Sequence, residues 1–330
     1  MTMDDIARLA KVSKPTVSRA LSDSPLVKPE TKSHVLSVAR AHGYAVNRNA
    51  QKLRHKRTNT IAVSLDFRSH RENHISDPFI YELLAGVSEA LADHGQDLLL
   101  CAPNHNDYGS FSQILSARAA DGLIVLGQGH RETMLAELAA TGAPLVVWGA
   151  QTPDTPYCVV GSDNRLGGRL VGEHFLRRGR RRFLFVGDVS FREIQLRREG
   201  LHEAATAGGS DVQLIDISSS SFAFESAYEA ARRFLASSRQ HPDAVFAFSD
   251  TAAMAFIRAF REAGLEIPRD VSVVGYNDLP SAAYFSPPLS TVRQDNHQAG
   301  RLLVTRLMAM LEGLPAESAT IDTELIIRET

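Results

Sequence analysis

From Ile61 onward, strand-like and helical segments alternate along the chain, and this alternation limits the possible folds more than any other feature. Amphipathic stretches at 79–93, 164–177, 224–236 and 252–263 separate short runs of apolar residues. Because parallel strands need a crossover between them, the pattern predicts parallel sheets wound on both faces by helices, in two lobes rather than one. The strand-like runs begin near Ile61, Leu98, Leu123, Leu145, Phe183, Val212, Ala244 and Val271.

The beginning of the chain has a different pattern, which predicts an all-α headpiece of three short helices. Thr2 and Asp5 form a capping-box sequence at the start of the first helix. Ser13 stands where it can cap a second helix, which has Pro15 in its first turn. A third helix is expected over about 29–42, followed by a glycine.

The second of these helices has one apolar and one polar face. Val17 lies on the side that would pack on the neighbouring helices, whereas Lys14, Pro15, Ser18 and Arg19 lie on the other. A helix-turn-helix with donors on its exposed face fits the major groove of DNA. We expect Arg19 to bind guanine through two hydrogen bonds, and Lys14 to contact a base edge or a phosphate.

Charge is distributed unevenly along the 330 residues. Residues 1–57 hold 12 Lys and Arg against 4 Asp and Glu, a net charge of +8, and the remainder holds 24 against 34, a net charge of −10. A basic end on an acidic body is typical of a protein that binds nucleic acid, although a solvated basic tail has the same composition. Residues 47–58 carry one large apolar side chain, Leu53, among many cations, and are interpreted as a linker.

The sequence does not support a disulfide-bonded, membrane-spanning, secreted, enzymatic or metal-binding protein. Cys101 and Cys158 stand in apolar stretches and are expected to be buried and reduced. No apolar run approaches the length of a membrane span, and the N-terminus lacks a signal-peptide pattern. There is no phosphate-binding glycine loop, nucleophile elbow or Cys–His pair, so we expect neither an enzyme nor a cofactor. His70 and His74 lack further ligands at metal spacing, and we expect no metal site.

Over essentially its whole length the chain resembles the lactose-repressor (LacI/GalR) family of bacterial regulators. In the headpiece the resemblance depends on Asp5-Ile6-Ala7, Val12-Ser13, Thr16-Val17-Ser18-Arg19, Thr31, Gly43-Tyr44, Asn47-Arg48 and Ala50-Gln51-Lys52-Leu53. It implies that the linker forms a hinge helix on operator DNA, with Leu53 wedged into the minor groove; a flexible tether with an exposed Leu53 is the alternative. The DNA-contacting residues expected on these grounds are Lys14, Pro15, Thr16, Ser18, Arg19, Thr31, Asn47, Arg48, Ala50 and Leu53.

The resemblance further implies a body like a periplasmic sugar-binding protein, with an α/β fold, two doubly wound lobes and a ligand between them. Its matches include 76–79, 121–124, 163–168, 249–250 and 273–278. Polar and aromatic residues also follow several strand-like runs, which is where ligands bind in open α/β sheets. The ligand-binding residues expected here are Phe79, Trp148, Arg197, Phe222, Asp250, Asn277, Asp278 and Gln294.

Most of these residues also have a purely structural interpretation. Trp148 would be a core residue, Phe222 would pack the hinge between the lobes, and Asp163 and Asp250 would only cap helices. Many relatives have a carboxylate near position 149, where this chain has Gly149. That difference predicts that a sugar binds in a different pose.

The expected organisation has three parts. Residues 1–46 form the DNA-binding headpiece, 47–58 the hinge helix or linker, and 59–330 the ligand-binding and dimerisation domain. Within that domain, one lobe is expected to contain about 59–160 and 290–320, and the other about 161–289 and 321–330.

The function expected is a cytoplasmic, sequence-specific transcriptional regulator that represses carbohydrate-utilisation genes. A mono- or disaccharide or a glycoside would change its affinity for a palindromic operator. A transport-type sugar receptor and an α/β enzyme such as a sugar kinase are the alternatives, and binding to promoter DNA separates them from the regulator. The last strand-like run, near 324–328, leaves no residues for an additional leucine-rich helix, so we expect a homodimer and not a tetramer.

Overall fold

The computed structural model describes residues 1–21, 24–44, 57–65, 78–101, 107–219, 221–238 and 240–330. It contains two compact units, Met1–Thr58 and Asn59–Thr330. Several residues named above lie outside the described ranges, namely Asn47, Arg48, Ala50, Leu53, His70 and His74.

The first unit contains the three predicted helices, which share one small core. Ile6, Val17 and Val35 come from different helices, and each is fully buried. Packing of a single apolar stripe per helix leaves the other faces of the helices to solvent. The helices are α1 (Met3–Leu9), α2 (Lys14–Leu21) and α3 (Pro29–Ala41).

The predicted caps are confirmed. The backbone N–H of Asp5 donates to Thr2 Oγ1, and the backbone N–H of Thr2 donates in return to the Asp5 carboxylate at 2.9 Å. Ser13 Oγ accepts from the backbone N–H of Thr16 at the start of α2. These bonds satisfy backbone donors that would otherwise lack partners at the starts of α1 and α2.

In the second unit, strands and helices alternate as expected, and no helix in the described ranges is long and apolar enough to cross a membrane. The strands are β1 (Thr60–Leu65), β2 (Asp97–Leu100), β3 (Gly122–Leu126), β4 (Leu145–Trp148), β5 (Cys158–Ser162), β6 (Arg182–Val186), β7 (Gln213–Ile217), β8 (Ala244–Ala247), β9 (Ser272–Asn277), β10 (Ser290–Gln294), β11 (Ala319–Ile321) and β12 (Thr323–Ile326). The helices are α4 (Pro78–Asp93), α5 (Tyr108–Ser116), α6 (Glu132–Ala140), α7 (Asn164–Arg177), α8 (Arg192–Ala207), α9 (Phe224–Ser237), α10 (Asp250–Glu262), α11 (Pro280–Tyr284) and α12 (Asn296–Leu311).

The strands form two six-stranded sheets, one in each lobe. The first has the order β11-β5-β4-β3-β1-β2 and the second the order β12-β10-β9-β8-β6-β7. All neighbouring strands are parallel except β10 and β12, which pair antiparallel. The two doubly wound lobes predicted from the alternation are therefore present, and the chain crosses between them after β5, after β10 and between β11 and β12.

One predicted lobe boundary is wrong. Residues 290–294 were expected in the first lobe, but they form β10, which pairs with β9 and β12 in the second sheet. Its inward side chains include Ser290 and Thr291, both fully buried, so it lacks the apolar run by which the other strands were recognised. The crossover to the first lobe therefore follows Gln294, and α12 packs on α4 and on the first sheet.

Two helices of the second lobe touch through glycines. A Cβ on Gly168 of α7 would lie 1.9 Å from the carbonyl oxygen of Arg197, and one on Gly200 of α8 would lie 1.9 Å from that of Arg165. Any larger residue at either position would push the two backbones apart, because no flexible side chain is there to move aside. This close crossing places Arg197 directly beside the first turn of α7.

His174 of α7 is buried with no hydrogen-bond partner for Nε2, and it is expected to make the second unit sensitive to acid. Burial, together with smaller contributions from the nearby Arg178 and Arg177, lowers its pKa from 6.5 to about 4. Because the folded-state pKa lies below the unfolded one, the stabilisation is present above pH 6.5 and is lost as the pH falls towards 4.

We therefore expect the unfolding free energy of the second unit to fall by about 2 kcal/mol between pH 7.5 and pH 5 through His174 alone. His174→Gln should remove this part of the pH dependence, and the same change at the exposed His202 should leave it in place. Urea unfolding of the three proteins at both pH values measures the difference. An equally steep loss in His174→Gln would show that other groups cause the acid sensitivity.

Candidate functional site

The exposed face of α2 carries the residues predicted to read DNA. Lys14, Pro15 and Arg19 are exposed, whereas Val17 and Ala20 on the opposite face are buried in the core of the first unit. Only a helix held by one face presents the other to a groove in a fixed orientation. The geometry thus agrees with the amphipathic pattern in the sequence.

Neighbouring groups already hold some side chains of this face. Lys14 Nζ forms an ion pair with Asp4 Oδ2 at 2.7 Å, and the hydroxyls of Thr16 and Ser13 are 2.8 Å apart. Thr31 lies half-buried in the first turn of α3. The Thr16 hydroxyl is therefore held against that of the capping residue Ser13, a contact that the sequence pattern did not indicate. The linker contacts expected from Asn47, Arg48, Ala50 and Leu53 lie outside the described ranges.

In the second unit, Trp148 and Phe79 lie together in the core of the first lobe. Trp148 is 6% exposed and its ring centroid is 6.0 Å from that of Phe79. Leu279, which follows β9 of the second lobe, packs in the same apolar cluster. The packing therefore agrees with the interpretation of Trp148 as a core residue. Because Leu279 comes from the second lobe, this part of the core lies where the two lobes meet.

Arg197 is buried, and its guanidinium has a defined orientation. Nε donates to Asn164 Oδ1 at 2.8 Å, and Nη1 donates to the carbonyl oxygen of Phe248 at 2.6 Å. The guanidinium carbon lies 3.5 Å from the centre of the Tyr276 ring, a cation–π contact. A planar cation held by its edge and its face can serve as a preorganised donor to a polar ligand.

Asn277 and Gln294 form one hydrogen-bonded pair in the same region. Gln294 Nε2 donates to Asn277 Oδ1 at 2.7 Å, and Gln294 Oε1 accepts from Ser162 Oγ. All three side chains are buried, and Asn277 has a φ of +112°, which L residues rarely adopt. Sequence reasoning identified the pair but missed Ser162, Asn164 and Tyr276, because their partners are far away along the chain.

The carboxylates of Asp250 and Asp278 are used by the protein itself. Asp250 is fully buried, and its two oxygens accept from the backbone N–H of Leu279 and from Thr291 Oγ1. Asp278 forms ion pairs with Arg293 at 2.7 Å and with Arg328 at 2.6 Å. The structure thus places both in the frame that joins β9 to β10 and to the end of the chain, in contrast to their expected place against a ligand.

Asp163 caps α7, as its structural interpretation predicted: Oδ1 accepts from the backbone N–H of Leu166 at 2.9 Å. Asp250 does not cap α10, because Ser249 occupies that position and its hydroxyl accepts from Ala252 N. The two aspartates, which were both predicted from the sequence to cap helices, therefore have different roles.

Phe222 belongs to an aromatic cluster that reaches both lobes. Its ring meets Phe191 and Phe248 edge to face, with centroids 5.4 and 5.1 Å away. Phe191 in turn contacts the ring of His130, which follows β3 in the first lobe, at 4.7 Å. The hinge-packing interpretation of Phe222 and a role against a ligand are both compatible with this arrangement, because the ring is only half-buried.

Gln128 explains why residue 149 is a glycine here. A Cβ at Gly149 would lie 2.5 Å from Gln128 Oε1, which accepts from the backbone N–H of Ala150. Gln128 Nε2 donates to the hydroxyl of Tyr157, and burial raises the pKa of that tyrosine to about 12. The uncharged Gln128–Tyr157 pair therefore occupies the space that an acidic side chain at position 149 would need.

Neither cysteine thiol is activated as a nucleophile. Both cysteines are free and buried, as expected, and burial raises the pKa of each thiol to about 11. Within the described ranges no cluster of His, Cys, Asp and Glu has the arrangement of a metal site.

Comparison with known proteins places the two units in context. Residues 2–47 match the family model described as bacterial regulatory proteins, lacI family, and residues 173–330 match that of a periplasmic binding protein-like domain. The HTH-type transcriptional repressor PurR of Photobacterium profundum is 30% identical over all of this chain and 98% of its own length. The HTH-type transcriptional regulator CelR of Thermobifida fusca has the same identity and coverage.

Solved structures share the architecture. A complex of the transcriptional regulator CelR with cellobiose is 28% identical, with a TM-score of 0.72 over 100% of this chain and 99% of that one. The lac repressor dimer bound to operator and the anti-inducer ONPF has a TM-score of 0.86, 24% identity, and coverage of 100% and 98%. The second likeness shows a common fold, a helix-turn-helix followed by a two-lobed α/β domain.

Proposed function

Because the chain belongs to the LacI family of bacterial regulatory proteins, we propose that it is a sequence-specific transcriptional repressor whose operator affinity is changed by a small carbohydrate. The single observation that carries this proposal is the presence, in one chain, of an exposed α2 face with Lys14 and Arg19 and of a two-lobed α/β unit that holds a buried arginine, Arg197, by polar partners. The relatives PurR, ExuR and CytR are all transcriptional repressors, which supports repression as the direction of control.

A carbohydrate is the ligand class that the second unit fits best. The relative CelR has been solved with cellobiose. In the present chain, Arg197, Asn277 and Gln294 supply buried polar groups, and the ring of Phe222 meets that of Phe248, whose carbonyl oxygen accepts from Arg197. Sugars offer hydroxyls and C–H faces to polar and aromatic groups of this kind. We assign Arg197, Asn277 and Gln294 as the polar contacts, with Phe222 and Phe79 as apolar ones. Trp148 would report on binding through its fluorescence.

Two experiments test the function. Selection from random DNA on the purified protein should yield a palindromic site, because two headpieces read two half-sites. A thermal-shift panel of mono- and disaccharides, starting with cellobiose, should contain sugars that raise the melting temperature of the second unit by mass action. The same sugars should change operator affinity in fluorescence anisotropy. Failure to enrich any DNA sequence contradicts the regulator, and stabilisation without an effect on DNA favours a simple sugar receptor.

The helix-turn-helix match over residues 2–47 favours the regulator over a transport-type receptor. The relatives named above are transcriptional regulators and not enzymes. We place the protein in the cytoplasm with its DNA, and we assign it no enzymatic activity of its own.

We further propose that the protein acts as a homodimer. Each lobe exposes large apolar side chains: Tyr81, Leu99 and Leu100 in the first, and Tyr284, which is 88% exposed, in the second. As part of this proposal we assign these side chains to the interface, where a second copy of the chain would remove them from water. A palindromic operator supplies the reason for a two-fold partner.

Light scattering at micromolar concentration is expected to give the mass of two chains. Replacing Tyr81 and Tyr284 together with Asp should give single chains, because a dimer would bury four carboxylates without cationic partners. The exposed Leu314 offers a control for the added charge, and Leu314→Asp should remain dimeric. A stable wild-type tetramer, or a dimer that survives the double substitution, contradicts this arrangement.

A further inference from the structure

A continuous chain of buried polar side chains connects Arg197 to the crossovers between the lobes. Arg197 Nε donates to Asn164 Oδ1 at 2.8 Å, and Asn164 Nδ2 donates to the carbonyl oxygen of Ser162 at 3.1 Å. Ser162 Oγ then donates to Gln294 Oε1, and Gln294 Nε2 donates to Asn277 Oδ1 at 2.7 Å. All five side chains are at most 9% exposed.

Three of these residues lie at the points where the chain crosses from one lobe to the other. Ser162 is the last residue of β5 in the first sheet, and Asn164 is the first residue of α7 in the second lobe. Gln294 is the last residue of β10 in the second sheet and precedes α12, which packs on the first. The bond between Ser162 and Gln294 thus joins two of the three segments by which the described chain crosses between the lobes.

The crossover also has space beside it. A cavity of about 410 Å³ is lined by Ser162 and Asn164, by Gln151 after β4 and by Thr320 of β11. Packed interiors resist deformation, whereas a segment bordered by open space can change its backbone angles without breaking a core. The segment after β5 is therefore able to move.

We infer that Asn164 is a positioning residue that couples the arginine site to the crossover after β5. Its carboxamide oxygen holds Arg197, and its nitrogen holds the crossover backbone through Ser162. A ligand that binds and displaces the guanidinium changes the hydrogen bonds of Asn164 and, through them, the backbone of the crossover. In this proposal the two orientations of the lobes differ in how many of these buried hydrogen bonds are formed. This inference rests on the proposed function, because it takes Arg197 as an effector contact.

The physical reason is the high cost of an unsatisfied buried polar group, on the order of 1–3 kcal/mol. Coupling free energies between regulatory sites have a similar size and correspond to a change in affinity of roughly 5–150-fold. One hydrogen bond that is lost or strained in one lobe orientation is therefore enough to carry the response.

Asn164→Asp separates the two halves of this role. A carboxylate still accepts from Arg197 Nε, but it has no N–H with which to hold the Ser162 carbonyl. Asn164→Leu removes both bonds at similar volume. The chain offers a matched control at the second crossover. Asp295 caps α12, and Asn296 is the first residue of that helix, just as Asp163 caps α7 and Asn164 is its first residue. Asn296→Asp makes the same change of charge at the same helix position, without contact to Arg197.

The experiment uses the full-length protein, its selected operator and cellobiose, or the panel sugar that stabilises the wild type most. For Asn164→Asp we expect sugar affinity within about threefold of the wild type, while the ratio of operator affinities with and without sugar falls at least about fivefold. Asn296→Asp should leave both quantities unchanged. For Asn164→Leu we expect sugar affinity itself to fall about tenfold or more, because Arg197 loses its support.

A role in stability alone would lower the melting temperature of Asn164→Asp and leave the ratio of operator affinities intact, and that result overturns the inference. If Asn164→Asp fails to fold, Ser162→Ala tests the next bond of the same buried chain, because it removes the hydrogen bond to Gln294 and leaves both Arg197 and the Ser162 carbonyl held by Asn164. An unchanged ratio in Ser162→Ala is then the contrary result.

One measurement needs no ligand. The side-chain Nε–H of Arg197 should give a slowly exchanging signal in nitrogen-15 NMR of the wild type and of Asn164→Asp, and that signal should be lost in Asn164→Leu. Retention of the signal in Asn164→Leu overturns the inference. By contrast, a wild type whose operator binding responds to no sugar in the panel contradicts the proposed function, which keeps the two failures distinct.

Discussion

Replacing Arg197 with Ala is expected to lower the affinity for the cognate sugar by about 100-fold or more. The guanidinium is held by Asn164 and by the carbonyl oxygen of Phe248, and it lies on the ring of Tyr276. Its loss removes charge-assisted hydrogen bonds to the ligand, and a bond of that kind contributes about 1.5–3 kcal/mol. A change of about 2.7 kcal/mol corresponds to two orders of magnitude in the dissociation constant.

Isothermal titration with the sugar identified by the thermal-shift panel measures this loss. Arg198 provides a matched control, since it is the next residue of α8 and pairs with Asp216 on the surface. Arg198→Ala should bind the sugar as the wild type does. Arg197→Lys should also bind poorly, because an ammonium cannot reproduce the planar fork. Undiminished affinity in Arg197→Ala would remove this residue from the binding site.

The second large effect is expected at the headpiece, where Arg19→Ala should relax the choice of base in the operator. Arg19 is exposed on the face of α2 opposite the buried Val17 and Ala20. A bidentate contact with guanine contributes about 1–3 kcal/mol of discrimination per half-site, and a dimer loses it twice. The loss should be confined to the base pair that Arg19 reads.

Anisotropy titrations on the selected operator and on single-base variants of it measure both affinity and preference at fixed salt. Arg8, an exposed arginine of α1 that pairs with Asp5, serves as the control. Arg8→Ala should keep the base preference of the wild type. If Arg19→Ala discriminates among the base variants as the wild type does, the assignment of Arg19 to a base contact is wrong.

Two features of the second unit also limit which effector it binds. The Gln128 side chain fills the space beside Gly149, so no acid extends from the end of β4. The carboxylates of Asp250 and Asp278 are held by partners within the protein. In the effector site that we propose, the polar contacts are therefore the neutral side chains Asn277 and Gln294 and the cation Arg197, and none of the three is a carboxylate.

The sequence by itself determined the elements and their order. Periodicity located α7, α9 and α10 to within about two residues, because an amphipathic helix must place its apolar residues on one face. The capping bonds of Thr2 and Ser13 were also predictable, because they join residues only three apart. Likewise, the exposed face of α2 follows from the spacing of Val17 and its neighbours.

Only the tertiary structure decided which sheet β10 joins and what each polar side chain does. Ser290 and Thr291 are buried without an apolar pattern, so the position of β10 depends on pairing with β9 and β12. Asn164 meets Arg197 across 33 positions of sequence, and Ser162 meets Gln294 across 132. Asp163 and Asp250 look alike in sequence, yet one caps a helix and the other joins α10 to β10. The physical reason is that hydrogen bonds between distant segments depend on how helices and sheets pack, which local periodicity does not encode.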